Sequence, residues 1–149
     1  SLIAFDGPVW RLLPEELVAG VAPANAPEGR FHHSGQIAAY ASLTAEGTAV
    51  AIKRYLADNV KRVLVPMWLK AEAVADVRGD AGASVVWQDQ RSVGATPSTW
   101  AISDAARRAG AQALLYLSRS RPDLSHVVVF DPTCLTFVGP ITSWSATQA

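Results

Sequence analysis

The order of its apolar runs is what most constrains this chain. Only two stretches carry helical periodicity. The short β-branched runs around them lack the regular strand–helix–strand alternation of a parallel sheet. Residues 9–13 (Val9-Trp10-Arg11-Leu12-Leu13) read as a first strand stopped by Pro14. Residues 20–30 are rich in Pro and Gly and read as a loop, and residues 37–42 read as a short buried strand. Thr44 can cap a helix in which Ala45, Ala49, Ile52 and Leu56 recur at helical spacing and form its inward stripe. Residues 62–68 read as a strand, and Pro66 within it points to a sheet edge. Residues 71–95 read as loops and strand fragments such as Ser84-Val85-Val86-Trp87. Ser98 caps a second helix that Gly110 stops, with Arg107 and Arg108 at the negative end of its dipole. Residues 113–117, 126–130 and 135–138 read as further strands. The expectation is an α+β fold, with short strands in one curved sheet or two small ones and two main helices alongside.

A chain of 149 residues, half of them hydrophobic, fits a single domain with a real core over 1–149. No apolar run approaches the length that spans a bilayer, and Ser1-Leu2-Ile3-Ala4-Phe5-Asp6 has no basic region, so neither a membrane span nor a secretory leader is expected. The single cysteine, Cys134, excludes an internal disulfide and is compatible with a reducing cytoplasm. It lies just beyond a proline in a strand-like segment and reads as a small core residue, not a nucleophile. With 13 basic and 13 acidic residues, charge gives no argument for nucleic-acid binding. The dinucleotide-binding GxGxxG, the P-loop and HExxH are all missing. His32 and His33 are adjacent, so their side chains diverge, and no metal site is expected.

Two segments carry chemistry. In Gly29-Arg30-Phe31-His32-His33-Ser34-Gly35, an arginine between glycines suits a phosphate or diphosphate, and the glycines let backbone approach a ligand. Tyr40, in the strand that follows, suits stacking on a base or a nicotinamide ring. In Leu115-Tyr116-Leu117-Ser118-Arg119-Ser120-Arg121, a buried strand ends abruptly in Ser and Arg, and strand ends are where sites collect. Taken alone, the first segment also reads as a surface arginine, a turn and a core tyrosine, and the second as an ordinary polar loop.

Taken together, the segments resemble the RES domain, named for an Arg, a Glu and a Ser. Val9-Trp10-Arg11-Leu12 resembles its opening aromatic-Arg-Leu strand, and the 29–35 segment its Gly-Arg-aromatic motif. Ile37-Ala38-Ala39-Tyr40-Ala41-Ser42 resembles the apolar strand with Tyr that follows it. Ala113-Leu114-Leu115-Tyr116-Leu117-Ser118-Arg119 resembles the late strand closing in Ser, and His126-Val127-Val128-Val129-Phe130-Asp131-Pro132 the last strand. The likeness runs from about residue 9 to residue 138.

The resemblance implies a compact ADP-ribosyltransferase-like fold. It implies NAD+ as substrate and the role of a toxin in a type II toxin–antitoxin system, with an Xre-like antitoxin as partner in the cytoplasm. It carries the Arg and Ser roles onto Arg30 and Ser118, with Tyr40 as a further member and Phe31, His32 and Arg119 beside the cofactor. The Glu should fall near residues 51–53, where the chain reads Ala51-Ile52-Lys53, and Glu46 lies a turn and a half too early. Lys53 is therefore expected at or beside the site. Without a carboxylate base, activation of water is poorly served. Transfer of ADP-ribose to a protein acceptor then takes precedence over NAD+ hydrolysis or phosphorolysis. A catalytically dead relative that only binds a nucleotide or an antitoxin is the remaining alternative.

Overall fold

Period-two alternation runs through the longest element of the chain, β3 (Arg62–Asp76), where Val63, Val65, Met67, Leu69 and Ala71 are buried and Trp68, Lys70 and Glu72 are exposed. Its antiparallel partner is β1 (Leu2–Pro14), which pairs with it from Leu2 opposite Ala75 to Pro14 opposite Arg62, with one shift of register between Ile3 and Phe5. The first half of β1 is largely exposed, so burial leaves no alternation to read there, and the strand starts well before residue 9. These elements belong to a computed structural model that describes residues 2–17, 27–52 and 59–144.

β3 is a central strand, contrary to the edge expected from Pro66. One side pairs with β1. The other pairs in succession with β7 (Thr142–Trp144) up to Leu64, β6 (Leu135–Phe137) from Met67, and β4 (Ala113–Leu117) from Val74. Pro66 falls where β7 gives way to β6, and its carbonyl accepts from Val138 N on that side. The donor it lacks is therefore not needed for the ladder.

From β4 the sheet continues antiparallel through β5 (Ser125–Val129) to β2 (Ala39–Ser42), which meets β1 at Trp10 opposite Ser42. The seven strands thus form one α+β sheet whose β1–β3–β4–β5–β2 circuit returns to β1. Alternate residues of β2, β4 and β5 (Ala41, Leu115, Val127, Val129) join Val65 and Met67 in one core. The opposite face (Leu114, Tyr116, Val128) packs with Phe31 and Ala106 in a second.

Among the described residues there are three α-helices, where two were expected. α1 (Ala45–Ala51) is capped by Thr44, whose side chain accepts from Gly47 N. Its buried face is Gly47, Thr48 and Ala49, while Ala45 is exposed. The expected inward stripe is therefore rotated, because close contact with β2 selects the smallest residues. A Cβ added at Gly47 would stand 3.0 Å from Ser42 Cβ. Lys53 and Leu56 lie outside the described residues.

α2 (Trp87–Ser92) replaces the strand fragment expected at residues 84–87. Val85 and Val86 are only a short extended link, and Trp87 packs toward Trp100 of α3 (Ser98–Arg108), ring centroids 6.3 Å apart. Pro97, not Ser98, occupies the N-cap position of α3, and no side chain caps it. The Ser98 hydroxyl donates to Gly82 O instead, tying the helix to the preceding turn. Gly110, at φ +87°, ends the helix as expected. No helix among the described residues is long and apolar enough to cross a membrane.

Candidate functional site

The Gly-Arg segment is a tight turn held from three sides. Gly29 N donates to His32 O (2.9 Å), and a Cβ at Gly29 would collide with the His32 ring. Gly35 takes φ +71°. The freedom of these glycines is thus spent on the turn itself, not on ligand approach as the sequence reading had it. Arg107 of α3 donates to Phe31 O and Ile37 O, both at 3.0 Å, and Trp100 Nε1 donates to Gly29 O at 2.7 Å. The Tyr40 hydroxyl accepts from Phe31 N (3.0 Å) and shares a hydrogen bond with His32 Nδ1 (2.7 Å). Phe31 has no exposed surface and packs on Tyr116, centroids 4.7 Å apart. Phe31, His32 and Tyr40 therefore brace the turn from within. His33 diverges from His32 and pairs with Asp104 at 2.8 Å.

Arg30 reaches a cavity of about 380 Å³ that it shares with Ala51, Tyr116, Ser118, Arg119 and His126. The sheet thus gathers the arginine of one motif and the serine of the other, far apart in sequence, around one space. Ser118 lies at the end of β4. Its amide donates to Leu124 O (2.9 Å) and its Oγ accepts from Arg121 N (3.2 Å), closing the turn to β5 while leaving its hydroxyl proton to give. Among the described residues the cavity lining contains no carboxylate. Ala51 occupies its wall near where the resemblance called for a Glu, and Glu46 instead pairs with the exposed Arg121 at 3.0 Å.

A smaller space of about 120 Å³ adjoins the first, sharing Ala51 and Tyr116 and adding Tyr40 and Arg11. Arg11 lies in the inward row of β1 between Val9 and Leu13 and is 5% exposed. Its Nε donates to Tyr40 O at 3.0 Å. Burial draws its pKa down to about 10, so it remains charged near neutrality. The sequence reading did not single Arg11 out as a site residue. The available signal was a charge at an apolar position of an alternating strand.

Three further site residues were missed. Ser42, His126 and Tyr116 stand directly opposite one another across β2, β5 and β4. Ser42 Oγ and His126 Nδ1 are 2.7 Å apart, and the His126 and Tyr116 rings are 5.4 Å apart. Burial, aided by Arg30, lowers the His126 pKa to about 4, and burial raises the Tyr116 phenol, so both are neutral near pH 7. Within apolar runs such as His126-Val127-Val128-Val129, no alternation betrays which face a residue takes. Cys134 packs against the core, and burial raises its thiol, as suits a structural cysteine.

Arginine forks set among neutral hydroxyl and imidazole groups make this a place for an anionic, oxygen-rich ligand. Residues 8–148 match the sequence pattern of the RES domain. The chain belongs to the RES domain family. No curated protein sequence matches it. Among solved structures it is similar to a chain of the M. tuberculosis MbcT–MbcA toxin–antitoxin complex, with a TM-score of 0.73 and 16% identity over 99% of this chain and 88% of that one. At that identity the likeness is one of fold. In this RES domain Arg30, Ser118 and Arg119 open on the larger cavity and Tyr40 on the smaller, while Lys53 lies outside the described residues.

Proposed function

We propose that this RES domain is the toxin of a toxin–antitoxin pair, and that it cleaves NAD+ at the nicotinamide glycosidic bond and passes ADP-ribose to a protein side chain. Family membership and the likeness in fold to the toxin of the MbcT–MbcA complex support the toxin role. The observation that carries the chemistry is the cavity that joins Arg30 and Arg119 to Ser118, with no carboxylate among the described residues that line it. Arg30 holds the diphosphate through its planar fork, and the Ser118 hydroxyl hydrogen-bonds the ribose or the carboxamide. Tyr40, Phe31 and His32 keep Arg30 in place, and Tyr40 borders the adjoining space where a flat ring can enter.

The reaction breaks the bond between ribose C1′ and the pyridinium nitrogen. The bonding pair leaves with neutral nicotinamide, and the oxocarbenium-like ribose is captured by a nucleophile that forms the new bond to C1′ and gives up its proton to solvent. Binding energy on the diphosphate and adenosine orients the ribose for this step. With no carboxylate base among the described lining residues, an acceptor that is already a good nucleophile is favoured. For the same reason a phosphate ion, attracted by the arginines, is the second reading of the acceptor, ahead of water. The proposed partner is an Xre-like antitoxin, and the proposed setting is the cytoplasm.

Incubating the pure protein with NAD+ and measuring free nicotinamide tests the cleavage. Label from adenine-labelled NAD+ appearing on protein in a cell extract supports transfer, and ADP-ribose 1″-phosphate in phosphate buffer supports the second reading. Release of no nicotinamide in either setting overturns the cleavage and leaves a binding protein.

A further inference from the structure

The reaction as drawn makes no use of His126, although this buried imidazole borders the larger cavity beside Arg30 and Ser118. Its Nδ1 is engaged by Ser42 Oγ at 2.7 Å. Among the described residues its Nε2 has no partner. Nor is Nε2 one of the buried side-chain atoms left unsatisfied, which are Gln88 Oε1, Thr99 Oγ1 and Arg107 Nε. Nε2 is therefore the ring nitrogen that meets the cavity's solvent.

Ser42 settles which nitrogen carries the proton. It is 1% exposed, and His126 Nδ1 is the hydrogen-bond partner of its hydroxyl. If Nδ1–H donated to Oγ, the serine proton would be buried without an acceptor, a costly arrangement. If the serine donates to Nδ1, only spare lone pairs go unused, which costs less. The imidazole proton then sits on Nε2 and faces the cavity.

We propose that His126 is a ligand-contacting residue that offers a neutral Nε2–H to an acceptor oxygen of the bound nucleotide, with Ser42 as the positioning residue that fixes its tautomer. The identity of that nucleotide rests on the NAD+ reading above. His126 and the Tyr116 hydroxyl, which has no hydrogen-bond partner among the described residues, then line one wall with uncharged donors. Arg30, which lines the same cavity, supplies the charge. A neutral donor adds hydrogen bonding without adding positive charge next to a developing ribosyl cation.

The test begins with ring ¹⁵N spectra of the whole protein, with His32 and His33 assigned by substitution. His126 is expected as the Nε2–H tautomer between about pH 5.5 and 8. Ser42→Ala should turn it into a tautomer mixture, a change that a purely structural serine would not produce. An Nδ1–H tautomer in the wild type overturns the proposal. Millimolar ADP-ribose should shift the His126 Nε2 resonance, and an unmoved resonance also overturns it. In nicotinamide release, His126→Gln, which keeps a donor near Nε2, should stay within about fivefold of wild type. His126→Leu combined with Ser42→Ala, which removes both polar partners and spares the fold, should lose about ten- to a hundredfold. Equal activity of those two proteins overturns the proposal. If the wild type releases no nicotinamide, the NAD+ reading falls on its own, and the tautomer and the ADP-ribose shift still decide the role of His126.

Discussion

The two faces of the β2–β5–β4 strands are built to different rules. Toward β1 and β3 they present Ala39, Ala41, Val127, Val129, Ala113 and Leu115, an apolar surface that closes on Val65, Met67 and Leu69. On the reverse face the same strands present Tyr40, Ser42, His126 and Tyr116 in neighbouring rows. The first face has no polar group to satisfy. The second holds polar side chains partly by pairing them and partly by opening them to a cavity. A face serving only stability would be cheaper to build from Val and Leu, since each buried polar group must recover its lost hydration. The contrast fits a division of labour, one face built for cohesion and the other for the proposed recognition.

The largest effect should come from damaging the cohesive face. Met67 is fully buried, and Met67→Ala should cost about 2–5 kcal/mol of stability. Urea denaturation should show a lower midpoint at an unchanged slope, while nicotinamide release per folded molecule stays near wild type. Activity lost in proportion to nothing but the cavity would mean that the two faces are not separable.

Arg30→Ala strikes the recognition face and should invert that pattern. Losing a charge-assisted contact to diphosphate should lower kcat/KM about ten- to a hundredfold, and with it growth arrest on expression. Arg30 also donates to Val85 O, so a small fall in melting temperature is expected as well. A folded variant that still stops growth at low expression would remove Arg30 from the site.

Acid should expose the difference next. The folded pKa of His126 is depressed to about 4 from 6.5, so between those values the unfolded chain binds more protons than the folded one. Stability is therefore fully present above about pH 6.5 and falls as pH drops toward 4, by up to about 1.4 kcal/mol per unit. The groups around the ring are Arg30, Tyr116 and the uncharged Ser42, none of which titrates in that window. His126→Gln should flatten the corresponding part of a pH series of denaturation midpoints, and an unchanged slope would place the acid sensitivity elsewhere.

Ser118→Ala is the finest probe. Nicotinamide release should fall about tenfold. Thermal unfolding should also move, because Arg121 N loses its acceptor in the turn, at a cost of about 1 kcal/mol. Full activity would leave Ser118 as a turn residue alone.

Much of this was legible from the chain. The α+β class, the β4 and β5 segments, the Thr44 cap and the Gly110 stop all follow from local chemistry: apolar runs, a hydroxyl before a helix, a glycine at positive φ. The two motifs around Arg30 and Ser118 were visible for the same reason, since a strand ending in polar residues announces itself. What the sequence could not decide was pairing. Pro66 argued for an edge, and only the handover from β7 to β6 shows why a central strand tolerates it. Val85-Val86 had strand propensity and found no strand to join. Arg11 and His126 were hidden in apolar runs, because their significance depends on neighbours contributed by β2 and β4. Local residue choice fixes which elements form and where they stop. Which side chains meet across a sheet is set by register between distant strands, and that register is a property of the whole fold.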